Sequence, residues 1–321
     1  MHTREGELGK VNVKSLQDAL SDPDKIVIAQ VAPAVRVTLG ELFGYPPGTP
    51  LTGKVVCALK KLGFRKVFDT SLGADIAIME ETAELQERMK KGGPFPLINS
   101  CCSGTVLFLE HAYPDLMGNM ASVRSPMGVI GALVKTYYAE KNNIDPEKIF
   151  SVAIMPCVIK KTEALRNEGM INGKRGVDLV LTTVEIAEFM KLKDVDLRDC
   201  GDENFDSVLG TASGGGQIFG STGGISEAAV RYFAALQNES VEVKTTEKLR
   251  SFEGTREITL KVGGKELRIM IINCFRNASQ ILNDKKKISQ YHFIEIMACL
   301  GGCVGGAGQP TSTRGILAKR R

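Results

Sequence analysis

The 321-residue chain contains no tryptophan, and Phe and Tyr together make up only 6% of it, an unusual feature that by itself points to no function. A dominant charge is also missing. Lys and Arg number 41 against 37 Asp and Glu, and a net charge of +4 is too slight to argue for a nucleic-acid partner. The runs Lys285-Lys286-Lys287 and Arg320-Arg321 read as a solvated loop and a solvated tail. No apolar run reaches the length of a membrane span, which excludes a spanning helix. Met1 to Val13 is polar and charged, without the apolar stretch of a secretory signal, so a cytoplasmic protein is expected. No internal repeat and no low-complexity linker interrupts the chain. No cysteine precedes Cys57, yet there are eight in all. In a cytoplasmic chain that number favours metal or redox chemistry over disulfides.

What is present alternates between two periods. Apolar, β-branched runs at Lys25–Val31, Lys66–Asp69, Pro96–Ile98, Ile149–Ile154, Val177–Leu181 and Tyr291–Met297 read as strands. Between them, Leu51–Leu62, Gly73–Lys91, Gly104–Ala112, Met127–Glu140, Val184–Met190 and Ile225–Leu236 read as helices. Glu257–Val262 and Glu266–Ile272 flank Gly263-Gly264 as a hairpin. The class is therefore α/β. The expected architecture is two lobes, each a small, mixed, mostly parallel sheet with flanking helices and with the active site in the cleft between them. The polar turn from Glu140 to Lys148 sets the expected boundary, giving lobes 23–145 and 146–310 and a short basic tail 311–321.

Three loops at strand ends carry five of the cysteines. They are Asn99-Ser100-Cys101-Cys102-Ser103-Gly104, Met155-Pro156-Cys157-Val158-Ile159-Lys160, and Met297-Ala298-Cys299-Leu300-Gly301-Gly302-Cys303. Open α/β sheets build their sites at the carboxyl ends of strands. An iron–sulfur cluster needs four thiolates converging from segments that can be far apart in sequence. Zinc sites usually bring two close cysteine pairs instead, and this spacing does not fit them. Glycines around Cys299 and Cys303 let the backbone approach a bulky cluster. Cys57, Cys200 and Cys274 lie in plain helix, loop and strand contexts and read as ordinary thiols.

These loops resemble the three signature segments of the FeFe-hydrogenases: Thr-Ser-Cys-Cys-Pro, Met-Pro-Cys-x-x-Lys-x-x-Glu and Met-Ala-Cys-x-x-Gly-Cys-x-x-Gly-Gly-Gly-Gln-Pro. The resemblance continues through Ala32-Pro33, Phe68-Asp69-Thr70, Gly73-Ala74-Asp75, Ile78-Met79-Glu80-Glu81 and Ile218-Phe219-Gly220, covering about residue 25 to 310 as one hydrogenase catalytic domain. It implies reversible reduction of protons to hydrogen at a composite cofactor, the H-cluster. A 4Fe–4S cube would be bound by Cys102, Cys157, Cys299 and Cys303. Cys303 would bridge to a diiron subsite carrying CO, CN and a bridging dithiolate with a central amine. Lys160, next to Glu163 in the second motif, would donate to a cyanide. Met155, Met297 and Phe219 would line the diiron pocket, together with Pro33. The two methionines and Phe219 also read simply as core packing.

The resemblance makes Cys101 the proton donor beside the cofactor, and a thiol near metals can have a suitably shifted pKa. Glu81, Glu84 and Arg88 recur at i, i+3 and i+7 along one helix face, as a proton relay requires. A bland alternative is a solvated Glu84–Arg88 pair. Several positions depart from the family pattern. Asn99 stands for Thr, Ser103 for Pro, Thr105 for Trp, Ala34 for Ser, Met127 for Gln and Ala307 for Gly. Ala121 occupies the relay's usual Ser position, leaving Ser122 or a water to bridge. The sequence leads us to expect neither ferredoxin-like domains nor a carboxyl-terminal belt. Electrons would then come from a ferredoxin or a separate iron–sulfur subunit, and maturation proteins would build the diiron unit. A low-turnover hydrogen sensor and a non-catalytic carrier of iron–sulfur cubes remain rival readings. A nucleotide-binding enzyme is a third, weakly signalled by the glycines from Gly210 to Gly224.

Overall fold

The structure is a computed structural model that describes residues 2–239, 241 and 254–321. The chain builds two units from interleaved segments. Met1–Gly73, Met127–Thr211 and Val304–Arg321 form unit 1, and Ala74–Pro126 and Ala212–Cys303 form unit 2.

Unit 1 is organised by a wholly parallel sheet in the order β2-β1-β4-β7. Its strands are β1 (Ile26–Val31), β2 (Lys66–Asp69), β4 (Ile149–Met155) and β7 (Leu179–Thr182). The near-continuous apolar runs IVIAQV, IFSVAIM and LVLT are what a sheet covered on both faces demands. Helices α1 (His2–Ser21), α2 (Thr52–Lys61), α6 (Ile159–Leu165) and α7 (Thr183–Leu192) belong to this unit. Helix α1 has no counterpart among the helices expected from periodicity. Leu16 and Ala19 on its inner face are buried, and it packs against β7 and α7. A small ribbon pairs β5 (Met170–Ile171) with β6 (Lys174–Arg175). The expected Met127–Glu140 helix begins as α5 (Pro126–Leu133) and widens into a π-helical turn, Val134–Tyr138, before its last turn.

Unit 2 holds the second sheet, β3-β10-β9-β8, with β3 (Leu97–Asn99), β8 (Thr255–Val262), β9 (Lys265–Asn273) and β10 (Phe293–Met297). Its strands β3, β10 and β9 are parallel, and β8 turns back antiparallel across the Gly263-Gly264 hairpin. Helices α4 (Ser103–Ala112), α8 (Gly224–Ala235) and α9 (Phe275–Leu282) belong to it. The long helix α3 (Thr70–Lys91) starts in unit 1 and continues into unit 2.

The consecutive lobes expected from the polar turn near residue 145 are not the observed units. Strand β4 follows that turn but returns to pair with β1 in the register Ile28↔Ser151, while β3 pairs with β10 far along the chain. Parallel pairing needs crossovers, and crossovers let segments distant in sequence share a sheet. Nor are the final residues a solvated tail. They form α10 (Arg314–Arg320), in which the Arg320 side chain is fully buried and gripped at both carboxylate oxygens of Glu41, each at 2.6 Å. A buried guanidinium persists when a carboxylate neutralises it, and that pairing is invisible in a basic run read alone. The 285–287 lysines form a short helical turn, Lys285–Ile288, rather than a loop. Among the described residues, no helix is long and apolar enough to cross a membrane.

Candidate metal centre

Each sheet delivers cysteine loops from the carboxyl ends of its parallel strands. In unit 2, β3 runs into Cys101-Cys102 and β10 into Cys299 and Cys303. Cys102 caps the start of α4 with extended backbone (φ −90°, ψ 110°). Its amide donates to Ser100 Oγ at 3.1 Å, while that hydroxyl donates to the Ile296 carbonyl at 2.6 Å, tying the β3 loop to β10. Thr105 Oγ1 also donates to Ile296 O, at 3.2 Å. Thr105 thus does structural bonding at a position where the family usually has a ring.

Four of the unit 2 thiols, Cys101, Cys102, Cys299 and Cys303, are near neighbours. Hydrogen bonding to Cys101, desolvation, and the charges of Cys101, Cys102 and Cys299 push the Cys303 thiol well above its ordinary range. Thiols that resist each other's ionisation in this way form a donor set that a bound cation relieves, because thiolates are the ligating form. The turn between Cys299 and Cys303 is fixed by glycine. Gly302 has φ +94°, and a Cβ on it would lie 2.6 Å from Thr222 N and 2.7 Å from Gly220 O. Thr222 N donates to Gly301 O at 3.1 Å. Thiols gathered on glycine-tight loops suit a polynuclear iron–sulfur group. Among the described residues, no trio of His, Cys, Asp or Glu is spaced for a single metal ion.

The relay candidates also lie in unit 2. Glu81 is buried on α3, and desolvation pushes its carboxyl well above the ordinary range, with further upward contributions from the charges of Cys101, Glu295 and Glu84. The Asn99 carboxamide lies beside it and draws it partly back, but too loosely to satisfy either group. Asn99 Nδ2 and Glu81 Oε2 are both buried with no hydrogen-bond partner. One turn on, Arg88 Nη2 donates to Glu84 Oε1 at 2.6 Å, and the amide and hydroxyl of Ser122 both donate to Glu84 Oε2 at 3.0 Å. Arg88 is held further by the Pro94, Asn119 and Met120 carbonyls. The pair is therefore anchored rather than a freely solvated one. Ala121 packs against the unit 2 core and offers no hydroxyl.

Phe219 and Met297 are buried in unit 2. The turn preceding Phe219 hangs from Asp75, which accepts from Ser213 N and Oγ at 2.6 Å each and from Gly216 N at 2.8 Å. Two sequence runs carrying the resemblance are thereby joined. Sequence reasoning misses Glu295. It lies wholly buried on β10 and accepts from Gly223 N (2.6 Å), Ser226 N (2.8 Å) and Ser226 Oγ (2.8 Å) at the start of α8. A helix start offers donors and partial positive charge, and Glu295 takes up both. The nucleotide reading of the glycine run thereby loses its phosphate seat. The available signal is a lone acid inside the apolar strand FIEIM.

In unit 1, Pro33 starts a short helix after β1, and buried Met155 ends β4 just before Cys157. Lys160 donates to Glu163 Oε2 at 2.6 Å. Met127 is buried, and its carbonyl accepts from Gln30 Nε2 at 3.1 Å. Arg36, which sequence reasoning also misses, is buried with Asp69 as its carboxylate partner and Ser71 Oγ at 2.6 Å, and it lies over the Phe205 ring. Cys57 and Cys200 are buried neighbours in the unit 1 core.

Residues 25–307 match the family model for the C-terminal domain of the iron-only hydrogenase large subunit. The NADP-reducing hydrogenase subunit HndD of Solidesulfovibrio fructosivorans is 43% identical over 91% of this chain and 51% of its own length. Iron hydrogenase 1 of Clostridium pasteurianum is 41% identical over 94% of this chain and 53% of its own. The chain thus spans about half the length of both. The cytosolic Fe-S cluster assembly factor narfl of Danio rerio is 30% identical, over 90% of this chain and 73% of that one. Among solved structures, a variant of FeFe-hydrogenase HydA1 from Chlamydomonas reinhardtii superposes with a TM-score of 0.81 at 34% identity, covering 95% of this chain and 87% of that one. The α/β fold, the parallel sheet of unit 1 and the matched motifs agree, and the chain belongs to the iron-only hydrogenase family, in which it matches the C-terminal domain of the large subunit.

Proposed function

We propose that the protein interconverts protons and hydrogen. Cys102, Cys157, Cys299 and Cys303 would hold a 4Fe–4S cube, and Cys303 would also hold a diiron subsite with CO, CN and a dithiolate bridge. When bound, this H-cluster supplies the redox chemistry that joins two electrons and two protons into hydrogen. The chain's part is to hold the group, exclude water and deliver protons.

One observation carries the reading. Cys101 is a fifth thiol, beyond the four a cube needs. It hydrogen-bonds Cys303 and interacts with the buried Glu81. A thiol beside the donor set and a carboxyl whose proton burial holds more tightly than usual are suited to passing protons inward. Glu81 would hold the next proton, and Glu84, oriented by Arg88 and Ser122, the one nearest the surface. A water would span the missing hydroxyl at Ala121. Lys160 would turn its ammonium from Glu163 toward a cyanide. Pro33, Met155, Met297 and Phe219 would supply apolar walls. The eight free thiols suit a reducing cytoplasm. Electrons would arrive from a ferredoxin or a separate iron–sulfur subunit, with maturation proteins furnishing the diiron unit.

A second reading, a carrier of iron–sulfur cubes, draws on the likeness to the assembly factor and on the Glu81 Oε2 that accepts no hydrogen bond. The test is hydrogen evolution from anaerobic, cube-loaded protein given a synthetic diiron cofactor and reduced viologen. Evolution that disappears in Cys101→Ala supports the hydrogenase. Full loading without hydrogen favours a sensor, and failure to take up the diiron unit favours the carrier.

A further inference from the structure

The residues that follow Cys303 in the third motif form a strap, 304–310, whose two ends share one anchor. Arg320 Nη1 donates to the Val304 carbonyl and Nη2 to the Pro310 carbonyl, both at 3.1 Å, so one guanidinium holds both ends of the strap. Its remaining fork grips both oxygens of Glu41. The seat is close-fitting: Gly48 has φ +82°, and a Cβ there would lie 1.9 Å from the Lys319 carbonyl of α10. Between its ends the strap ties down three other segments. Gly308 N donates to the Pro156 carbonyl at 2.9 Å, and Val184 N donates to Gly308 O at 3.2 Å. Gln309 Nε2 donates to Ala34 O at 3.3 Å and Oε1 accepts from Thr38 Oγ1 at 2.7 Å. Any side chain at Gly308 would meet Thr182 at 2.7 Å. Pro156 immediately precedes Cys157, and Val304 immediately follows Cys303.

We propose that Arg320 is a positioning residue for Cys157 and Cys303, setting the two thiolates through the strap rather than by touching the cofactor. This rests on the reading of those cysteines as cube ligands. A planar fork with five donors can serve a carboxylate and two carbonyls at once, and a lysine ammonium cannot. The paired charge of Glu41 explains why the fork stays buried, and also why removing Arg320 alone risks unfolding.

The experiment therefore uses the full-length chain with Arg320→Lys, with the double change Glu41→Gln/Arg320→Gln that leaves no unpaired charge, and with Lys319→Ala on the exposed side of α10 as control. Each is loaded anaerobically with iron and sulfide and challenged with a chelator, alongside far-UV circular dichroism and electron paramagnetic resonance of the reduced cube. Hydrogen exchange of the peptide spanning Pro156–Cys157 is read on the unloaded chain. Both Arg320 variants should fold, hold iron about tenfold or more weakly, show an altered cube spectrum, and exchange faster at Pro156–Cys157. The control should match the parent in all four. Parent-like iron retention, spectrum and exchange in the folded Arg320 variants overturns the proposal. A parent chain that takes up no iron overturns the ligand reading instead, and the exchange data then decide the Arg320 coupling alone.

Discussion

Ser122 grips Glu84 twice, its amide and its hydroxyl each donating to Oε2 at 3.0 Å. One turn earlier on the same helix, buried Glu81 Oε2 accepts no well-formed hydrogen bond, although the Asn99 carboxamide lies beside that carboxyl. The Glu84 end of the proposed relay is held by hydrogen bonds, and the proposal leaves a water to stand in for the hydroxyl that Ala121 lacks. Ala121→Ser should therefore raise hydrogen evolution and lower its solvent isotope effect, whereas Glu84→Gln should cut turnover by about a hundredfold. An Ala121→Ser enzyme that is no faster than the parent would show that protons take another route.

Glu81 also gives stability a pH dependence. Desolvation raises its folded carboxyl pKa well above the ordinary value. The folded state therefore holds this proton more tightly than the unfolded state does. The contribution is fully present below the unfolded value of about 4.3 and is lost as pH rises through the folded pKa. Buried Glu295 is shifted the same way, again mainly by desolvation. In urea denaturation of the iron-free chain across this range, the stability difference between the parent and Glu81→Gln should move against the parent as pH rises. Glu81→Gln keeps the shape and cannot ionise, so it removes this contribution alone. Equal slopes in parent and variant would mean that Glu81 ionises freely in the fold.

The β1, β2, β4 and β10 strands were legible because each is an apolar run too short for a helix, and the cysteine loops because their residue types and spacing are unusual. Which strand pairs with which was not legible. β3 joins β10 and β4 joins β1 through crossovers that periodicity does not encode. Arg320 read as part of a solvated tail because its partner Glu41 is 279 positions away in sequence. Glu84 and Arg88 were found because they share a helix face, whereas Glu295 needed the knowledge that the FIEIM strand is buried on both sides. Local chemistry was readable, and long-range satisfaction of buried charge was not.

Gly302 offers a sharper test of the third motif. Its φ of +94° disfavours any side chain, and the space a Cβ would need is filled by the backbone of Gly220–Thr222. Gly302→Ala should destabilise the chain by about 3 kcal/mol in urea denaturation, from backbone strain and displacement together. It should also weaken iron retention, because the turn it distorts lies between Cys299 and Cys303. A change that costs little would mean that the loop relaxes freely, contrary to its packing.

Burial should slow the reaction of Cys200. Cys200 is buried, and desolvation, with hydrogen bonding to Cys57, pushes its pKa from 9.0 to about 11. Two pKa units lower the thiolate fraction near neutral pH about a hundredfold, and the thiolate is the nucleophile. Iodoacetamide at mildly alkaline pH should therefore label Cys200 at least about a hundredfold more slowly than a free cysteine, until urea unfolds the chain. Mass spectrometry of digests taken over time reads this directly. Rapid labelling of Cys200 in the folded protein would show that the segment carrying it opens readily, and that its contact with Cys57 in the unit 1 core is not persistent.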